Sequence, residues 1–133
     1  MKSIKVLTAI FGIAVSLSTG FAVAQTKDVH VLKPKHGGLM SEVNHIEYEL
    51  VLKPEGTELY LQDHGKPMDL TNTSATLTVL DGAEKTGIKL LAQSKMLKGD
   101  GITLKNPNYT AIATVEFPNK KKSTVRFSNK ASK

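Results

Sequence analysis

Four histidines and a pair of closely spaced glutamates carry the clearest capacity for chemistry in this chain. The histidines are His30, His36, His45 and His64, and the glutamates are Glu47 and Glu49. The 133 residues include no cysteine, so thiolate metal sites, cysteine nucleophiles and disulfides are all excluded. Imidazole and carboxylate without thiolate suit Zn(II), Cu(II), Ni(II) or Co(II), and two or three His with a Glu form an ordinary ligand set. His36 is followed by Gly37-Gly38, where the backbone can adopt conformations closed to other residues. His64 lies within Asp63-His64-Gly65. Met40, Met68 and Met96 offer thioethers, which suit Cu(I) but also serve as core filler. On an extended strand Glu47 and Glu49 point the same way, about 7 Å apart, a spacing open to acid–base work or to a solvated face. No nucleophile elbow, His-Glu-x-x-His pair or glycine-rich phosphate loop occurs in the sequence, so no catalytic residue and no enzyme activity is expected.

The elements that must position these side chains read as strands. Residues 45–52 alternate, with Ile46, Tyr48, Leu50 and Leu52 on one face and His45, Glu47, Glu49 and Val51 on the other. A turn at Pro54-Glu55-Gly56 leads to a strand over 57–62, with Leu59 and Leu61 inward. Further strands are expected over 75–80, 87–92, from Met96, over 109–117 and over 123–128, with Lys120-Lys121-Lys122 at a solvated hairpin tip. Neither a helical period nor an internal repeat is evident. About seven short strands with regular turn signals indicate an all-β fold, an antiparallel β-sandwich of immunoglobulin-like type. If 45–52 and 57–62 pair as a hairpin, His64 falls near the start of the first strand, and His36, His45 and His64 gather at one end.

The first residues carry a different signal. Lys2 and Lys5 precede an apolar run from Val6 to Val15, and Ala22-Val23-Ala24 ends the segment. This is the pattern of a secretory signal peptide over 1–24, cleaved after Ala24, and the apolar run is too short to span a bilayer. The mature chain, 25–133, is expected to be one domain with its core at about 28–129, periplasmic or secreted and without membrane insertion. Loss of Lys2 and Lys5 takes the formal charge from +6 to +4. Nucleic acid is not expected as a partner: there is no Trp, and aromatics make up 5% of the chain, too few for a base-stacking surface.

The succession His36-Gly37-Gly38, Glu49-Leu50-Val51-Leu52, Leu59-Tyr60-Leu61 and Asp63-His64-Gly65-Lys66-Pro67 resembles small periplasmic proteins associated with heavy-metal efflux. It is similar also to the N-terminal β domain of periplasmic adaptor subunits of heavy-metal efflux pumps of the resistance-nodulation-division type. Leu77-Thr78-Val79-Leu80, Gly82 and Thr124-Val125-Arg126-Phe127 extend the resemblance over roughly residues 34–128. The resemblance implies binding of a divalent transition metal in the periplasm, with His36, Glu49 and His64 at the matching polar positions. His45 and Glu47 join them as candidate ligands, and an envelope metal-efflux complex is the implied partner. The alternative is a non-catalytic periplasmic interaction module without specific metal binding.

Overall fold

A computed structural model describes residues 31–130. The expected signal peptide and His30 lie outside the described residues. Among the described residues nine strands run in chain order: β1 (Leu39–Val43), β2 (Ile46–Lys53), β3 (Gly56–Asp63), β4 (Lys66–Pro67), β5 (Ser74–Asp81), β6 (Glu84–Gln93), β7 (Met96–Gly99), β8 (Tyr109–Glu116) and β9 (Lys122–Asn129). The all-β, antiparallel expectation is met, and each expected strand has a counterpart within a few residues. The two additions are β1 and β4. β1 is five residues long and half-buried over most of its length, so it carries little alternation. β4 is two residues beside a loop-like Pro.

The strands join one continuous sheet in the order β1-β2-β3-β7-β6-β5-β8-β9, with β4 added to β3. The hydrogen-bonded ladder is therefore not divided into the two sheets of an immunoglobulin-like sandwich. The sheet coils until β1 lies alongside β9 and is nearly closed into a barrel. Leu50, Leu59, Leu77, Leu90, Ala113 and Phe127, from six different strands, meet in one buried core. The inward faces of β2, β3 and β8 are those their period-2 pattern predicts.

Two hairpins close through two-residue turns with positive φ at both positions. Asn44 (φ 51°) and His45 (φ 65°) join β1 to β2, and His64 (φ 50°) and Gly65 (φ 78°) join β3 to β4. This is the turn whose twist matches paired strands, and Asn, His and Gly are among the residues that tolerate it. Since Ile46 pairs with Asp63, both turns sit at the same end of the barrel.

Candidate functional site

The five candidate ligands separate into two groups. Glu49 is on the outward side of β2, yet only 2% of it is exposed. The segment entering β1 folds over it. The N–H groups of His36 and Gly38 donate to Oε1 at 2.6 and 3.0 Å, and the Lys35 N–H donates to Oε2 at 3.1 Å. His36 Nδ1 stands 2.9 Å from the same Oε2. A carboxylate can only accept, so that ring nitrogen carries the proton. Each oxygen thus takes two hydrogen bonds, which fills its usual capacity.

Burial by itself would raise the Glu49 pKa. The His36 ring and the N–H groups of Gly38, His36 and Lys35 outweigh it and hold the carboxyl below its ordinary value. The His36 imidazole stacks on Tyr60, with centroids 3.6 Å apart and planes 4° from parallel. Tyr60 donates to Glu58 at 2.7 Å. Burial, that bond and the charges of Glu58 and Glu49 push the phenol up to about 12. Gly38 is required by close approach: a Cβ there would stand 2.4 Å from the Leu50 carbonyl oxygen. His36 and Glu49 are therefore brought together as a structural clasp. Glu49 has no acceptor capacity left for an ion unless the clasp opens.

His45, Glu47 and His64 form the other group. Together with Glu42 they line a shallow pocket of about 220 Å³ at the end where the two turns meet. His36 is not among its walls, so the gathering of three histidines expected at this end reduces to two. His64 is 83% exposed, with Nδ1 on Asp63 of its own turn. Glu42 faces Glu47 across the β1–β2 ladder. Among the described residues, no three His, Asp or Glu side chains converge to hold a metal ion as they stand. The pocket therefore presents donors of suitable type without a closed ligand set.

Charge on the outer surface is divided. The outward positions of β1 to β3 carry Glu42, Glu47 and Glu58, with Lys53 at the far end of β2. Those of β6 and β9 carry Lys85, Lys89, Lys122 and Arg126. Glu42 and Glu47 line the His45–His64 pocket, and the Lys35 ammonium donates to the Gly65 carbonyl beside His64 at 3.3 Å.

Sequence reasoning missed Glu42, Tyr60 and Asp81. Asn44-His45 between two extended runs is a two-residue turn signal, and reading it so would have placed Glu42 opposite Glu47. Asp81 is 6% exposed and holds a second bend: Lys105 N–H donates to Oδ2 at 2.6 Å, and Asn106 donates from N–H and Nδ2 to Oδ1 at 3.1 and 2.7 Å. Nothing local in the sequence marks that contact. In comparisons with known proteins, no family model matches the chain, and no curated protein or solved structure matches it.

Proposed function

We propose that the protein binds a divalent transition metal without turnover, in the periplasm after signal-peptide cleavage, as a buffer or donor for a heavy-metal efflux system. The observation that carries the reading is the pocket lined by His45, His64, Glu47 and Glu42. His45 and His64 are the primary ligands and Glu47 the carboxylate. His36 and Glu49 serve the fold. Binding requires the exposed His64 side chain to leave Asp63 and turn over the pocket. The resemblance to efflux-associated periplasmic proteins supports the same reading. With it goes the sandwich view of the fold, for which the support is the single core shared by residues of β2, β3, β5 and β8.

Isothermal titration of the protein with Zn(II), Cu(II), Ni(II) and Co(II) at pH 7.5 is the test. Saturable binding is expected for at least one ion. His64→Ala and His45→Ala each weaken it at least tenfold, about 1.4 kcal/mol, while His36→Ala leaves it unchanged. Affinity falls as pH drops from about 7.5 to about 5.5, because protons compete for imidazole nitrogen. No saturable binding, or binding that survives loss of both His45 and His64, overturns the proposal. The interaction-module reading then takes its place. Favouring that reading are two exposed leucines on the outer face of the β5–β6 hairpin, Leu80 opposite Lys85 at one end and Leu91 at the other.

A further inference from the structure

The two turns that form the histidine pocket carry their histidines against local preference. Two-residue turns with left-handed backbone at both positions favour Asn at the first and Gly at the second. Asn44-His45 puts a histidine where Gly is favoured, and His64-Gly65 puts one where Asn is favoured. In that region an L side chain brings its Cβ close to the following carbonyl oxygen. Packing does not offset this: His45 is exposed, and His64 is 83% exposed with its one contact on Asp63 of the same turn. Residues kept in disfavoured backbone conformations cluster at ligand sites, and here two of them meet at one rim.

Register sets the two rings side by side. Ile46 pairs with Asp63, so the next position outward brings His45 beside His64, and both line the same pocket. Glu47 follows one pleat further in, and Glu42 faces it from β1. Among the described residues, no third His, Asp or Glu joins the two imidazoles in a ligating array as they stand. Zn(II) in a closed site takes four protein ligands in a tetrahedron. Two exposed imidazoles from each of two copies supply four, related by a two-fold axis through the ion. The rims suit such a junction only with the cation between them. Glu42 and Glu47 of one copy would repel those of the other, and the Lys35 ammonium, held on the Gly65 carbonyl, offsets part of that charge.

We propose that this end of the barrel is a metal-dependent contact between two copies of the chain: one Zn(II) held by His45 and His64 of one copy and by the same pair of the other, with Glu47 of each beside the ion as countercharge. The inference rests on the metal-binding reading above and adds to it the partner, a second copy, that completes the ligand set. Without the ion, the like-charged rims keep the chain monomeric.

Sedimentation velocity of the protein at pH 7.5, with Zn(II) added in steps and then removed with EDTA, tests it. The expected result is conversion of monomer to dimer, complete at one Zn(II) per two chains and reversed by the chelator. His45→Gly and His64→Asn restore the residues such turns favour. Each is expected to abolish the dimer while leaving the melting temperature of the metal-free protein unchanged or higher. His36→Ala, which removes the histidine outside the pocket, still dimerises. A saturable one-to-one Zn(II) complex that stays monomeric overturns the inference and leaves the metal-binding reading standing, and so does binding of Cu(II), Ni(II) or Co(II) without Zn(II). Absence of saturable binding for all four ions overturns both. A dimer that forms without metal, or that survives either substitution, also overturns the inference. A melting temperature lowered in both variants does the same, because it would show that the imidazoles serve the turns.

Discussion

On β2, Glu49 gathers the N–H groups of Lys35, His36 and Gly38; on β5, Asp81 gathers those of Lys105 and Asn106. Both bends lead directly into a strand paired with the carboxylate's own strand, β1 in one case and β8 in the other. The solution is common because the need is common. A chain that bends against a sheet leaves backbone donors without a ladder partner, and buried donors require an acceptor. The two clasps then diverge. Glu49 is on the outer face of its strand and becomes buried by the segment it holds. Asp81 is on the same side as the core residue Val79, at the strand's end. Glu49 accepts four bonds, one from an imidazole stacked on Tyr60. Asp81 accepts three, one from the Asn106 amide. Burial and covering are thus mutual in the first clasp, whereas the second ties down a loop at a position already facing inward.

The largest effect expected from breaking this comparison is Glu49→Ala. It removes the acceptor of four bonds at once and costs about 2–4 kcal/mol in urea unfolding. The segment over β2 is expected to become accessible to proteolysis near Lys35. Asp81→Ala loses less, with cleavage near Lys105 in place of Lys35. An equal or larger loss for Asp81→Ala would show that the number of bonds does not rank the clasps. The double variant is expected to sum the single losses, because the two clasps share no partner.

Gly38→Ala is next, at about 1–3 kcal/mol. Its Cβ would press on the Leu50 carbonyl and on Glu49 Cγ, so the Glu49 clasp loosens while its counterpart at Asp81 stays closed. Amide exchange can separate the two: faster exchange at Lys35 and His36, with Lys105 and Asn106 unchanged.

Acid acts on both clasps. Both carboxyls lie below their ordinary values in the folded protein, Glu49 through the bonds described and Asp81 chiefly through the Lys105 N–H and the Asn106 amide. A depressed folded value means the stabilisation is fully present above the ordinary values, 4.5 for Glu49 and 3.8 for Asp81. It is lost as pH falls below them through the depressed folded values. Stability measured from pH 6 downward is therefore expected to decline below about pH 4.5, and Glu49→Gln flattens the upper part of that decline. An unaltered profile in Glu49→Gln would remove the charge from the account of this clasp.

The smallest effects come from the side-chain bond of each clasp: His36→Ala costs at most about 1 kcal/mol because the ring is 38% exposed, and Asn106→Ala less. Three backbone bonds to Glu49 remain. Thermal melts of His36→Ala beside Asn106→Ala compare the side-chain bond of each clasp directly, and the stacked ring on Tyr60 should make the histidine the more costly loss.

Much of the sheet was legible in the sequence. Ile46, Tyr48 and Leu50 alternate against Glu47 and Glu49, and the same period in 109–117 puts Ala111, Ala113 and Val115 inward, where they are buried. The period is a property of a few consecutive residues and survives whatever the rest of the chain does. The hairpin between 45–52 and 57–62, and with it the approach of His64 to His45, followed from that local pattern and the short turn at Pro54-Glu55-Gly56.

The tertiary structure alone decided the rest. Period 2 placed Glu49 away from the core, but a segment eleven or more residues earlier folds over it and changes a solvated carboxylate into a buried anchor. That covering also takes His36 away from His45 and His64. One bend has His36-Gly37-Gly38 and the other Asn106-Pro107-Asn108, so no repeat shows in the sequence although both bends meet a carboxylate. β1 carried too little alternation to be seen, and the meeting of β1 with β9 joins opposite ends of the chain. Alternation is written in neighbouring residues. Coverage, closure and the division of the histidines depend on contacts between residues far apart in sequence, which only the folded chain brings together.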